Sequence, residues 1–219
     1  MQNSATEENY LKAIYRFSEG TEMVGTNVLA KYLQTTPASV TDMLKRLSDK
    51  LLIEYQPYKG VRLLPSGEKV ALKVIRKHRI WEVFLVNVLN FTWDQVHDTA
   101  EQLEHVNSPT LIEKLDEFLG FPKFDPHGDP IPNKDGEFTE RFTQQLASCK
   151  PGDKVVVAGV KEDGAVFLQY LDKIGMRIGA DVSISETIPF DSSMILKVEG
   201  REVVLSGEFA KQILVSEAL

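Results

Sequence analysis

The stretch TTPASVTDMLKRLSDK, residues 35–50, decides the fold of the N-terminal part of this 219-residue chain. Thr35, Thr36 and Pro37 signal a turn, and Pro37 suits the first turn of a helix because it has no backbone N–H to leave unpaired. The apolar residues that follow recur at helical spacing: Val40, Leu44 and Leu47. We therefore predict a helix over residues 38–50 with one buried face and one polar, exposed face.

The flanking segments complete a winged helix-turn-helix. Upstream, residues 5–17 have the apolar spacing of an amphipathic helix, and residues 27–33 predict a second, shorter helix. Downstream, residues 52–56 and 61–64 have the composition of short strands, and the intervening Pro57-Tyr58-Lys59-Gly60 predicts a hairpin turn. Three helices followed by a β-hairpin are the elements of this DNA-binding fold.

The helix at residues 38–50 is the candidate recognition element. A helix in the major groove needs short polar side chains near its N-terminus for base edges and cations behind them for phosphates. The candidate base-contacting segment comprises Thr36, Pro37, Ala38, Ser39, Thr41 and Asp42. The candidate phosphate-contacting residues are Lys45 and Arg46 of the helix and Lys59 and Arg62 of the wing. An ordinary solvated helix face gives the same pattern, so the pattern alone supports both interpretations equally.

The rest of the chain divides into a helical part, a linker and a β-rich part. Helices are predicted from Ser66 to Val88, Thr92 to Val106 and Ser108 to Leu119, each beginning at a suitable cap. Residues 122–132 hold four prolines and a glycine, a composition typical of a stiff linker. Short apolar stretches separated by Gly- and Asp-containing turns, with one helical stretch, favour a small β-barrel over residues 140–219.

Side chains that commonly bind metals cluster at helical spacing in the helical part. They are His78, Glu82, His97, Glu101, Glu104 and His105. Positions three and four apart share one face of a helix, and carboxylate and imidazole ligands without thiolate suit Mn²⁺, Fe²⁺ or Zn²⁺. The competing interpretation is a solvated acidic face. The fourth histidine, His127, lies in the Pro-rich segment, where we expect a surface or loop-packing role.

A metalloenzyme is a further alternative, but its motifs are missing. Di-iron carboxylate proteins carry Glu-x-x-His on each of two helices, and zinc proteases carry His-Glu-x-x-His; the sequence contains neither arrangement. Nothing in it resembles a P-loop, a dinucleotide-binding fingerprint or a serine nucleophile elbow. A metal site beside a winged helix indicates a sensor rather than a catalyst.

Composition limits the remaining classes. The formal net charge is −7, but residues 1–65 carry eight Lys/Arg and seven Asp/Glu, so a locally basic face remains open there. The single cysteine, Cys149, excludes a disulfide framework or a cysteine-ligated zinc site within one chain. The polar N-terminus is unlike a secretory signal, and no apolar run approaches the ~20 residues of a membrane span. We expect a cytoplasmic protein with no membrane partner.

Four short runs together resemble the diphtheria toxin repressor family of metal-activated transcriptional repressors: Arg76-Lys77-His78-Arg79, Val96-His97-Asp98, Leu103-Glu104-His105-Val106 and Asp129-Pro130-Ile131-Pro132. The resemblance covers almost the whole chain and implies an α+β multidomain protein. Its parts are expected to be a winged helix-turn-helix (1–65), a helical metal-binding and dimerisation domain (66–121), a Pro-rich linker (122–139) and an SH3-like, FeoA-type domain (140–219).

The resemblance also implies two metal sites. The primary site falls on Asn9, Glu101, Glu104 and His105. The ancillary site falls on His78, Glu82 and His97, with Glu162 or Asp163 as a further ligand from the SH3-like domain. Position 101 is Cys in iron-responsive members and Glu in the manganese-responsive branch, and a carboxylate is the harder ligand, so Mn²⁺ is favoured.

Two departures from the manganese-responsive branch affect the expected metal count. Asn9 stands where that branch has Asp, and Lys12 stands where it has Glu. A charged lysine cannot bind metal. We therefore expect two well-separated sites rather than one compact two-manganese site.

The function that the resemblance implies is repression of metal-uptake genes by a homodimer. It would bind palindromic double-stranded operator DNA when loaded with Mn²⁺, or next with Fe²⁺, and Zn²⁺, Co²⁺ or Ni²⁺ would be surrogates. Metal would join the N-terminal helix to the dimerisation helix and so set the spacing of two winged helices. The alternatives are an iron-dependent regulator of the same family, a metal-independent winged-helix regulator and a metalloenzyme.

Overall fold

The structure, a computed structural model, describes residues 3–18, 23–162 and 164–217. The chain folds as two compact units that are each made of several segments. The first comprises Met1–His78, Glu101–Ile112 and Pro132–Phe138. The second comprises Arg79–Ala100, Glu113–Ile131 and Thr139–Leu219. The helical part of the sequence therefore contributes residues to both units.

The first unit begins with the three helices that the sequence predicts. They are α1 (Ala5–Phe17), α2 (Thr26–Tyr32) and α3 (Pro37–Asp49). Helix α1 starts with a capping box, in which the Ser4 hydroxyl accepts the Glu7 N–H while the Glu7 carboxylate accepts the Ser4 N–H. Helix α3 is capped by Thr36, whose side chain accepts the Ser39 N–H. Both caps fix the direction in which the helix leaves the preceding turn.

The wing is an antiparallel hairpin of β1 (Ile53–Gln56) and β2 (Gly60–Leu63). Gly60 has φ +126°, and a Cβ there would lie 2.6 Å from the Val24 carbonyl oxygen, so only glycine fits this close approach. The backbone of Val61 bridges to Val24 in return. The core that these elements share includes Leu11, Ile14, Leu29, Val40, Leu44, Leu47, Ile53 and Val61. The predicted winged helix-turn-helix is confirmed.

Three further helices follow: α4 (Pro65–Asn87), α5 (Val96–Leu103) and α6 (Pro109–Phe118). The prediction of a helix from Thr92 to Val106 is wrong at both ends. Residues 93–95 form a turn in which the Gln95 N–H donates to the Thr92 carbonyl, and a second turn follows α5 at residues 104–105. Glu104 and His105 therefore leave the helical stripe and project from a turn. Within the described residues, none of the helices has the length and apolar character needed to cross a membrane.

The C-terminal part of the second unit is a six-stranded antiparallel sheet in the order β3-β8-β4-β5-β6-β7. Its strands are β3 (Gln144–Gln145), β4 (Lys154–Val160), β5 (Asp181–Thr187), β6 (Met194–Val198), β7 (Arg201–Leu205) and β8 (Ile213–Glu217). A 3-10 turn (Leu146–Ser148) follows β3, helix α7 (Ala165–Lys173) follows β4, and the short α8 (Gly207–Ala210) precedes β8. The pairing register shifts once within β4 and once within β5, as at a β-bulge, which bends a strand locally. The predicted small β-domain is confirmed.

The first half of the Pro-rich segment is a folded loop rather than an extended linker. The Asp125 carboxylate accepts the backbone N–H groups of His127 and Asp129, at 2.9 and 3.0 Å. Val160 of β4 donates its N–H to the His127 carbonyl at 3.0 Å. Gly128 has φ +89°, and a Cβ there would lie 2.2 Å from the Ala158 carbonyl oxygen. The loop is thus held flat against β4.

We predict that Gly128→Ala lowers the free energy of unfolding of the protein more than Gly152→Ala does. Both glycines have positive φ, so each alanine introduces backbone strain of about 1–3 kcal/mol. A Cβ at Gly152 meets nothing within 4 Å, whereas at Gly128 it meets backbone. We compare the urea concentrations at which the two variants are half unfolded. The difference between them measures the energetic effect of the close approach of the loop to β4. Equal destabilisation would contradict that packing.

Candidate metal centres

The first cluster of metal-binding side chains lies within the first unit and is here called the α1 cluster. It joins residues of α1, the middle of α4 and the last turn of α5 with the turn that follows: Glu8, Asn9, Lys12, His78, Glu101, Glu104 and His105. Within α1, Glu8 and Asn9 come one helical turn before Lys12. The three side chains therefore leave the helix on the same side.

Glu104 is the centre of the α1 cluster and is fully buried. Its Oε2 accepts a hydrogen bond from His78 Nδ1 at 2.6 Å, and its two oxygens lie 2.7 and 2.8 Å from Lys12 Nζ. Burial by itself would raise the pKa of Glu104, but the hydrogen bond from His78 and the charge of Lys12 keep that pKa below its ordinary value. The carboxylate is therefore ionised in the interior of the protein.

His105 is oriented by a second carboxylate of α1. Its Nδ1 donates to Glu8 Oε2 at 2.7 Å, which leaves Nε2 of the neutral ring with its lone pair. That Nε2 is buried, has no hydrogen-bond partner among the described residues and lies 3.5 Å from Glu104 Oε1. A carboxylate behind an imidazole is the usual support of a metal-binding histidine, because it fixes both the tautomer and the ring orientation.

Asn9 supplies a second donor atom of the same kind. Its side-chain Oδ1 is buried and accepts no hydrogen bond within the described part of the chain. Buried polar atoms without partners are rare, since each costs about 1–3 kcal/mol of desolvation. An amide oxygen, an imidazole nitrogen and the carboxylates of Glu101 and Glu104 are together a donor set that fits a divalent cation.

A second cluster lies wholly within the second unit and is here called the loop cluster. One ligand atom each from Glu82, Asp125 and His127 lies within 4.8 Å of the others, and all three residues are buried. His97 Nδ1 lies 3.6 Å from Glu82 Oε1, at the edge of the same group. The Nε atom of Arg79 lies 3.4 Å from Asp125 Oδ2. Two carboxylates and an imidazole again form a set of hard ligands suited to a first-row divalent ion.

The histidine of the loop cluster also has a fixed tautomer. His127 Nε2 donates to the Trp93 carbonyl at 2.8 Å, and the ring stacks on Trp93 with 6.1 Å between centroids. Its Nδ1 therefore carries the lone pair, and this atom lies 3.8 Å from Glu82 Oε1. Burial, together with the charges of Glu82 and Asp129, raises the pKa of Asp125 to about 7. A divalent cation among these carboxylates would relieve their mutual repulsion.

The predicted DNA-contacting residues are exposed, with one exception. Thr36, Pro37, Ala38, Ser39, Asp42, Lys45, Arg46, Lys59 and Arg62 are exposed, and Thr41 is half-buried. The Thr41 hydroxyl donates to the Pro37 carbonyl one turn earlier, at 2.9 Å. Arg62 forms an ion pair with Glu54 on the neighbouring strand. The helix thus presents its N-terminal turn to solvent, with cations behind it.

The residues predicted as the ancillary site are divided between the two units. His78 belongs to the first and hydrogen-bonds to Glu104, whereas Glu82 and His97 belong to the second. Glu162 is exposed, and its Oε1 accepts the N–H of Gly164 at 3.0 Å. Asp163 lies outside the described residues.

Three family models match successive parts of the chain. The model described as the N-terminal DNA-binding domain of iron-dependent repressors matches residues 3–61, and that of their metal-binding and dimerisation domain matches residues 64–133. The FeoA domain model matches residues 144–217. The chain belongs to the diphtheria toxin repressor family. It is a metal-dependent, DNA-binding transcriptional repressor and not an enzyme.

Relatives of this repressor match along its whole length. The diphtheria toxin repressor of Corynebacterium diphtheriae is 25% identical over 97% of both chains. A solved structure of a manganese-dependent transcriptional repressor in complex with manganese has a TM-score of 0.83 and 33% identity, covering 97% of this chain and 100% of its own. The structure of ScaR with bound Zn²⁺ has a TM-score of 0.74 and 34% identity, covering 97% and 99%.

Sequence reasoning missed three members of the two clusters in this repressor. Glu8 was overlooked in favour of its neighbour Asn9, although Glu8 also lies in the acidic first turn of α1. Asp125 was not singled out, and His127 was given a surface or loop-packing role. His127 is buried and its ring stacks on Trp93, which fits the loop-packing role and not the surface role. The available signal was the close spacing of Asp125 and His127 in one loop.

We predict that the metal-stripped repressor takes up about two divalent ions per chain and that each cluster accounts for one. Glu104→Gln should remove one equivalent, and Glu82→Gln should remove the other, because each substitution deletes a buried negative charge at the centre of one cluster. Isothermal titration with Mn²⁺ measures both. Glu208→Gln, at an exposed glutamate of the C-terminal domain, is the matched control. Loss of both equivalents in a single variant would contradict two separate sites.

Proposed function

We propose that this repressor is activated by Mn²⁺, with Fe²⁺ as the nearest alternative, and that the α1 cluster is its switch. The observation that supports the proposal is the pair of buried, unpartnered donor atoms, Asn9 Oδ1 and His105 Nε2, beside the ionised Glu104. They belong to α1 and to the turn after α5, so a shared ligand would join these two elements. A divalent ion held there would supply the positive charge that draws these donors together.

The choice of Mn²⁺ is supported by the hardness of the donors. Both clusters offer oxygen and imidazole nitrogen, and the one cysteine of the chain lies in neither. Cys149 is buried, and burial and the charge of Asp153 raise the pKa of its thiol. The manganese-bound neighbour is a further support, although ScaR has been solved with Zn²⁺ and with Cd²⁺. We expect Zn²⁺, Co²⁺ and Ni²⁺ to substitute in solution.

Helix α1 connects the proposed metal site to the DNA-binding helix α3. It packs on α2 and β2, and α3 packs on α2 and β1, so the winged helix moves with α1 as one body. A metal ion that joins α1 to the turn after α5 would therefore narrow the range of positions that α3 can adopt relative to that turn. Affinity for DNA rises by population shift, and linkage requires that DNA tighten metal binding by the same factor.

The loop cluster is proposed as the ancillary site, in a form that differs from the sequence prediction. Glu82 and His97 remain candidate ligands, and Asp125 and His127 join them, whereas His78 contributes to the α1 cluster through Glu104. Because the loop is bonded to β4, we infer that metal there orders the second unit rather than the recognition helix. Its loss should weaken the response without abolishing it.

The proposed ligand of the winged helix is a palindromic operator upstream of metal-uptake genes, bound in the cytoplasm by a homodimer. A two-fold dimer presents two recognition helices at half-site centres about 34 Å, or a multiple, apart along the DNA. Dimerisation is proposed for the helical part, residues 66–121. We propose that the short polar side chains at the start of α3 contact base edges and that Lys45, Arg46 and Lys59 contact phosphates.

The test is operator binding as a function of metal. DNA selected from a random library in the presence of Mn²⁺ is titrated by fluorescence anisotropy, anaerobically, with Mn²⁺, Fe²⁺, Zn²⁺ or chelator. We expect Mn²⁺ to raise affinity by about tenfold or more, a typical allosteric coupling, and Glu104→Gln to abolish the increase. Glu82→Gln should reduce it only in part. Affinity that does not change with metal would refute the proposed switch, and equal defects in the two variants would refute the division of roles.

We also predict that Lys45→Ala weakens DNA binding to a similar degree for all sequences. Removing one phosphate contact should flatten the slope of log affinity against log salt by about one. Anisotropy titrations at several salt concentrations measure the slope. Lys211→Ala, which removes an exposed lysine from the C-terminal domain, is the control and should leave the slope unchanged. An altered preference between operator sequences would instead assign Lys45 to base contact.

A further inference from the structure

Lys12 is a buried cation inside the α1 cluster. Its Nζ donates to Glu101 Oε1 at 2.5 Å and lies 2.7 and 2.8 Å from the two oxygens of Glu104. The lysine side chain is 14% exposed, and that of Glu104 is fully buried. One ammonium group thus contacts three oxygens of the two carboxylates that the proposed function assigns to metal.

The contacts of Lys12 explain how two carboxylates share one interior site. Without a cation between them, Glu101 and Glu104 would repel each other in a region that water screens poorly. Burial by itself would lower the pKa of Lys12, but the charges of Glu104 and Glu101 outweigh it and hold the pKa above its ordinary value. The ammonium is therefore charged, and it is anchored to α1, whereas the carboxylates come from the end of α5 and the turn after it.

We propose that Lys12 is a built-in counter-ion that competes with metal for the carboxylates of Glu101 and Glu104 and thereby sets the metal concentration at which the repressor responds. This inference rests on the proposed metal site at the α1 cluster. In the metal-free protein, the ammonium balances the negative charge of the two carboxylates. In the metal-bound protein, its positive charge opposes the divalent ion that shares its ligands.

Loss of the Lys12 charge should change the stability of the metal-free protein and its affinity for metal in opposite directions. This distinguishes the proposed role from a merely structural one. Removal of the Lys12 charge should destabilise the metal-free protein, because the buried Glu104 and the half-buried Glu101 lose their counter-ion. The same change should strengthen metal binding, because the oxygens become more negative and the repulsion disappears. A lysine needed only for packing would weaken both properties when it is removed.

The variant that tests the inference is Lys12→Met, which keeps the length of the side chain and removes its charge. It is made in full-length protein carrying Glu82→Gln, so that only the α1 cluster is titrated, and is compared with that parent by isothermal titration with Mn²⁺. We expect the dissociation constant to fall by about tenfold or more, since one adjacent opposite charge typically shifts the proton affinity of a carboxylate by one to three powers of ten. The melting temperature of the metal-free variant should fall by about 2–4 °C or more.

The control is Lys50→Met in the same background. Lys50 pairs with Glu7 of the same helix as Lys12, at 2.6 Å, but is not part of the α1 cluster, so its loss should leave Mn²⁺ affinity unchanged. If Lys12→Met does not fold, Lys12→Gln, which keeps a hydrogen-bond donor without the charge, gives the same comparison. Unchanged or weaker Mn²⁺ affinity in the folded Lys12 variant would overturn the inference. Absence of Mn²⁺ binding at the α1 cluster when Lys12 is present would instead overturn the proposed function.

Discussion

Burial of the Glu104 carboxylate is the constraint on which the first unit of this repressor depends. An ionised carboxylate in the interior costs several kcal/mol unless hydrogen bonds and opposite charges compensate for its lost hydration. Here His78 and Lys12 provide that compensation from two different helices. The chain must therefore bring α1 and the middle of α4 to the turn after α5 before this group can be buried. Burial of Glu104 therefore also brings together the candidate metal-binding atoms of the α1 cluster.

A common device orients the imidazole rings of both clusters. In His78 and His105 the Nδ1 atom donates to a carboxylate, and in His127 the Nε2 atom donates to a backbone carbonyl. In His105 and His127 this bond leaves the opposite nitrogen with its lone pair. The ring nitrogen available to a metal ion is therefore fixed before the metal binds. A ring that was free to rotate would have to be ordered when the metal binds, which would reduce affinity.

The sequence predicted the winged helix, the helical part and the β-domain, because these depend on periodicity and residue type within short windows. It predicted less about contacts between distant segments. The shortening of α5 moved Glu104 and His105 into a turn, which no helical pattern indicates. The grouping of Glu82 with Asp125 and His127 depends on a loop that packs closely against β4. That close packing in turn requires Gly128. The meeting of Lys12 with two carboxylates some ninety residues later in the chain was likewise visible only in three dimensions.

The burial of Cys149 has a consequence for the conditions under which the repressor can report on metal. Oxidants attack exposed thiolates most readily, and this thiol is buried with a raised pKa and belongs to neither cluster. The oxygen and imidazole donors have no sulfur to lose to peroxide. The candidate ligands of both clusters would therefore offer peroxide no thiolate to oxidise.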